Sequence, residues 1–209
     1  APIHYTLDGS EPTAASPRYT EPVEIGKSAR FRATALREGG ENVSYSREFV
    51  FSKSTGHPAV LNTKPNDSYT FEGASLLVDG YHSRPVFTSG AWLGYLDEPL
   101  DVTIDMGGEQ SYSSVELETL AEKGDWIFPP SSVTVWVSDN GTDFTEVASV
   151  SVPEAKAGDA DGIGRYRMQF PETSARYLKV VAQNAAAIPA WHPGAGSKGF
   201  LFVDEVVVE

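Results

Sequence analysis

An all-β architecture follows from how apolar residues recur along this 209-residue chain. Helical spacing is almost absent, and apolar residues instead alternate with polar ones in short runs, as half-buried strands require. Turn signals such as Asp8-Gly9 and Asn140-Gly141 separate the runs. Around residue 60 the organisation changes: four short runs precede a polar connector carrying Gly and Pro (SKSTGHPAV, 52–60), and a longer series follows it. The expected organisation is a small sandwich over 1–52, a linker at 53–59, and a β-sandwich or jelly roll over 60–209.

In the first unit Ile3, Tyr5 and Leu7 share one face before the Asp8-Gly9 turn. Val23 and Ile25 flank Glu24, and Phe31, Ala33 and Ala35 alternate with Arg30, Arg32 and Thr34. Phe49 and Phe51 close the set. So few strands are meagre for a free-standing sandwich. The abrupt opening on a strand therefore raises the expectation of a fragment that lacks one or two amino-terminal strands. In the second unit Val102, Ile104 and Met106 form a run that Gly107-Gly108 is expected to end. Val115 to Thr119 and Val133 to Val137 follow, and then the segments 165–170, 176–182 and 200–208.

Between these strands lie four segments rich in aromatic and polar residues: 79–95, 120–130, 153–164 and 184–199. Three of the four tryptophans, Trp92, Trp126 and Trp191, fall in them. Loops carried on a rigid sandwich are where binding residues concentrate.

Composition narrows the partners. A formal charge of −13 repels phosphate backbones and anionic headgroups, so neither nucleic acid nor membrane is an expected partner. The chain has no cysteine, which excludes disulfides, thiolate metal sites and thiol catalysis. No apolar run approaches the roughly 18 residues that a membrane-spanning helix needs, and no signal peptide is visible.

The glycine-rich stretch at 189–199, PAWHPGAGSKG, invites a nucleotide reading and fails it. A phosphate loop needs Lys and Ser or Thr after its last glycine, whereas Lys198 precedes Gly199 and a strand follows. Asp204-Glu205 is an adjacent acidic pair, but neighbours in a regular strand point to opposite faces and do not converge on one bond. One of the two shares the core face, and a buried carboxylate needs compensation. A calcium ion, an arginine partner or a strand end in solvent would each supply it, with Asp79 a candidate second ligand. His4, His57, His82 and His192 show no metal-ligand spacing, and no G-x-S-x-G elbow is present, so catalysis is not expected.

Exposed aromatics beside hydrogen-bonding side chains suit a sugar, whose C–H face packs on a ring while its hydroxyls take donors and acceptors. Trp191 and His192 supply both elements within two residues. Trp126, Trp92, Tyr95, His82 and Arg84 are further candidates, although any one tryptophan can equally plug the end of the sandwich.

The motif IHYTLDGSEPT at 3–13, followed by SPRY at 16–19, resembles the carboxy-terminal module of chitobiases and β-hexosaminidases, an Ig-like domain that follows a family 20 glycoside hydrolase barrel. The segments LVDG (77–80), VTIDMG (102–107), VTVWVSDNGTDF (133–144), ARYLKV (175–180) and FVDEV (202–206) resemble, in order and spacing, a coagulation factor 5/8 type C or discoidin domain. That is the galactose-binding-like jelly roll to which family 32 carbohydrate-binding modules belong. The resemblance implies a non-catalytic accessory fragment of an exported β-N-acetylhexosaminidase, periplasmic or on the surface of a Gram-negative, Bacteroides-like bacterium. Its implied partners are glycans bearing galactose or N-acetylhexosamine, together with the parent enzyme's catalytic domain. It also implies a structural calcium held by Asp79 and Glu205, although Tyr81 stands where the family's pattern has a second acid. Two other readings remain beside it: a structural module that docks on the barrel or dimerises, and a membrane-binding discoidin, which the charge disfavours.

Overall fold

The computed structural model describes residues 1–37 and 39–209 as two compact units, each all-β with antiparallel strands. The first comprises 1–51 with 80–82, and the second comprises 52–79 with 83–209.

The first unit is one three-stranded sheet, ordered β1 (Ile3–Thr6), β2 (Ala29–Ala35), β3 (Val43–Phe49). Val23 and Ile25, expected in a strand, form none, and among the described residues no second sheet closes this unit. Register puts Tyr5 opposite Ala33, which lies opposite Tyr45, and likewise aligns Ile3, Ala35 and Val43. Residues directly opposite share a face, so one side of the sheet is apolar. The other side carries Arg32, Thr34 and Ser44, and the 8–19 loop covers it. There Glu11 pairs with Arg32 and accepts from Thr34 Oγ1 at 3.2 Å, and His4 Nδ1 lies 2.7 Å from the Ser16 carbonyl. The polar face is thus the covered one.

The second unit is a seven-stranded assembly. Six strands run in the order β5 (Leu93–Tyr95), β10 (Leu201–Val208), β6 (Leu100–Ala121), β9 (Gly162–Gln183), β7 (Ser132–Ser138), β8 (Thr145–Ser151), and β4 (Ala59–Leu61) pairs with β6. The runs at 102–106 and 115–119 belong to the single strand β6, and 165–170 and 176–182 to the single strand β9. Gly107-Gly108 does not end the strand. It sits where the β6–β9 register slips between Asp105 and Gln110, an irregularity that lets a long ribbon bend over itself. Alternating residues such as Val102, Ile104, Leu117, Val135, Leu178 and Val180 fill the core enclosed by this ribbon. The connector is built into this unit: Lys53 N donates to Val208 O at 2.9 Å, and Ser54 Oγ to Val206 O at 2.5 Å. No described helix is long and apolar enough to cross a membrane.

Candidate functional site

The loop at 184–199 leaves β9 and feeds β10 through a series of tight turns. Ile188 N donates to Ser197 O at 2.8 Å and Gly196 N to Ile188 O at 2.9 Å. Two of its glycines serve packing. A Cβ on Gly194 would lie 2.8 Å from Trp126 Cζ2, and one on Gly199 would lie 2.8 Å from Phe128 Cδ2. The backbone has to approach these rings more closely than a side chain permits.

His192 is the hub of the resulting cluster. It is buried, and its ring meets Phe128, Trp191 and Trp126 edge-to-face at centroid distances of 5.5, 5.6 and 6.2 Å. Its Nδ1 accepts from Gly194 N at 3.0 Å, which puts the proton of a neutral ring on Nε2. The two tryptophans around it stay open to solvent, Trp126 at 43% and Trp191 at 40% of full exposure. Trp126 follows the 3₁₀ turn Lys123–Asp125 in the left-handed region, φ 65°, which a bulky residue rarely adopts. Trp191 is oriented by Nε1 donating to Ala155 O at 2.9 Å.

One lysine ties the surrounding loops together. Lys123 is nearly buried, donates from Nζ to Asp159 O at 3.0 Å, and forms an ion pair with Asp161. Burial pushes the Asp161 carboxyl up, but hydrogen bonds from Lys123 Nζ and N outweigh it and hold the group below its ordinary value. Glu122 is pushed up, by burial first and then by the neighbouring charge of Asp125. The loops carrying Trp126, Ala155 and Trp191 are thereby fastened into one rim. Beside Trp191 a groove of about 430 Å³ runs between the chain segments 128–131, 152–155 and 185–190.

The structure brings together Trp126, Trp191 and His192 from the expected site residues and sends the others elsewhere. Trp92 and Tyr95 are fully buried, so neither offers a ring face to a ligand. Trp92 packs with Leu120, Ile127 and Phe202 and donates Nε1 to Arg84 O at 3.0 Å. Tyr95 belongs to the main core, and burial pushes its phenol well above the ordinary range. Arg84 is exposed. His82 is half-buried and groups with the first unit. Sequence reasoning did not single out Phe128, Ala155 or the Lys123–Asp161 tie. The only signal for the first was Gly199, whose missing Cβ makes room for its ring.

The acidic pair departs from the alternation expected of it. Between Val203 and Val206 strand β10 advances three residues while β6 advances two, from Thr119 to Leu117. This bulge keeps Leu201, Val203, Val206 and Val208 all in the core and leaves both Asp204 and Glu205 buried. Asp204 accepts from Ser83 N at 2.7 Å. Burial, with added repulsion from Glu118 and Asp79, pushes its carboxyl up to about 8. Calcium takes about six to eight oxygen ligands. Among the described residues no group of three or more His, Asp or Glu side chains is arranged to hold a metal, and Asp79 is exposed whereas Glu205 is buried. Two carboxylates alone do not compose such a shell.

Among solved structures the chain is similar to a CBM32 module from Clostridium perfringens in complex with GalNAc-β-1,3-galactose, with 17% identity and TM-score 0.49, covering 72% of this chain and 93% of that one. It is also similar to a chitosan-binding module of a chitosanase/glucanase from Paenibacillus sp. IK-5, with 18% identity and TM-score 0.49, covering 76% and 98%. A fucose-binding module from Streptococcus pneumoniae shows 22% identity and TM-score 0.46, covering 76% and 94%. No curated protein matches the chain. Residues 1–49 match the family described as Fn3 associated. Residues 62–198, which carry the bent ribbon and the aromatic rim, match the F5/8 type C domain, and the chain belongs to that family.

Proposed function

We propose that this chain is a non-catalytic carbohydrate-binding module and that the rim of Trp126, Trp191 and His192 is its glycan site. The observation that carries the reading is the pair of half-exposed tryptophans held rigidly around a buried histidine on a jelly-roll scaffold. Indole faces take the C–H face of a pyranose, and a rim fixed in advance loses little side-chain entropy on binding. The ligands are neutral glycans bearing galactose or N-acetylhexosamine, and the parent is an exported family 20 β-N-acetylhexosaminidase of a Gram-negative bacterium. Tethering would convert a weak contact into a high effective concentration of enzyme near its substrate. Isothermal titration against these sugars tests the reading. Trp191→Ala is expected to weaken binding at least tenfold while leaving the melting temperature nearly unchanged. Unaltered affinity in the variant would remove Trp191 from the site.

Calcium at Asp79 and Glu205 is part of the same proposal, with backbone carbonyls and water completing the shell. A cation there would offset the repulsion that Glu118 and Asp79 add at buried Asp204. Adding calcium after EDTA treatment is expected to raise the melting temperature by several degrees, and an unchanged melt argues against the site.

A second reading draws on the first unit, whose apolar face is open: Val43, Tyr45 and Ile3 are 55%, 53% and 40% exposed. Contiguous exposed apolar surface marks contact sites, and this face suits docking to a catalytic domain or to a second copy.

A further inference from the structure

The groove beside Trp191 differs in chemistry from the rim. Phe128, Val152, Pro153, Ile188 and Pro189 line it, and Glu154 is its one charged residue. At about 430 Å³ it falls within the range of small-molecule sites, roughly 300–1,000 Å³. It is continuous with the rim at three points: Trp191 follows the lining segment 185–190, its Nε1 is held by the carbonyl of the lining residue Ala155, and its ring meets Phe128 at 6.3 Å.

A hexose standing alone on Trp191 finds only Ser131 and the Glu154 carboxylate to partner its hydroxyls in this groove, because the proline and aliphatic side chains that make most of its wall supply none. An acetamido group fits better. Its methyl is apolar, and its N–H is a donor that the Glu154 carboxylate can accept. The same carboxylate, on a chain of net charge −13, repels uronic acids and sulfated sugars. Resting on the sugar-binding reading above, we infer that this groove is an acyl subsite that makes the module selective for N-acetylated hexosamines over their unsubstituted or anionic counterparts.

The test measures binding of N-acetylglucosamine, N-acetylgalactosamine, galactose and glucuronic acid to the whole chain and to Ala186→Phe, which fills the groove from an exposed lining position. Wild type is expected to bind the N-acetylated sugars about fourfold or more tighter than galactose, as burial of a single methyl group provides. Glucuronic acid is expected to bind weakest. In Ala186→Phe the preference should disappear while galactose affinity stays within twofold. Equal binding of acetylated and plain sugars, or a preference that survives in Ala186→Phe, overturns the acyl subsite and leaves the rim standing. Absence of binding by every sugar, with or without Trp191→Ala, overturns both readings together.

Discussion

Trp92 and Trp191 carry the same side chain in loops of similar composition, yet they do opposite work. Trp92 is fully enclosed, and its indole N–H is satisfied by the Arg84 carbonyl, so its contribution is to packing. Truncating it leaves a cavity among Leu120, Ile127 and Phe202. Trp92→Ala is expected to cost about 3–5 kcal/mol of stability, read from denaturant unfolding. A loss below about 1 kcal/mol would contradict its place in the core. Trp191 is half-open, so under the proposed sugar-binding reading its truncation is expected to fall on binding instead. The indole N–H of Trp92 finds its acceptor within its own segment, at Arg84, whereas that of Trp191 reaches a different loop, at Ala155.

Among the elements, the loops are tied to one another as well as to the strands beneath them. Lys123 is nearly buried, so removing its partner leaves an uncompensated charge in a poorly solvated place. Asp161→Asn is expected to destabilise the protein and to weaken sugar binding, because the 153–161 segment that holds Trp191 through Ala155 is released. The pH dependence has a definite sign. The folded-state value of Asp161 lies below its ordinary value near 3.8, so the pair stabilises above that value and its contribution is lost as pH falls through the folded value. Wild type should therefore lose stability below about pH 4 more steeply than Asp161→Asn, as thermal melts across that range would show. Parallel melting curves for the two proteins would exclude the tie as a source of stability.

At the scale of the whole molecule, the two units solve burial differently. The second folds one long ribbon over a closed core, and the bulge at Asp204-Glu205 buries two carboxylates beside a third, Glu118 of β6. The first has a single sheet with its polar side covered by the 8–19 loop and its apolar side open. If that side is a self-docking surface, sedimentation should show a concentration-dependent dimer that Val43→Ser with Tyr45→Ser abolishes. A monomer at all concentrations would leave a partner of different sequence as its occupant.

Period-two alternation made the all-β class and most strands legible from the amino acids alone, because a pleated strand with one buried face imposes that pattern directly. The order of Lys198 and Gly199 and the lack of cysteine likewise excluded a phosphate loop and thiol chemistry without reference to a fold. Alternation is blind to whether 102–106 and 115–119 are two strands or one, because a bend and a break look alike along the chain. It is equally blind to the bulge that buried Asp204 and Glu205 together. Nor did composition separate Trp191 and Trp126 from Trp92, since all three sit among similar neighbours. Only the folded chain decided which rings stayed open, because exposure depends on what distant segments bring across: Gly194 against Trp126, Ala155 beneath Trp191, and Phe202 over Trp92.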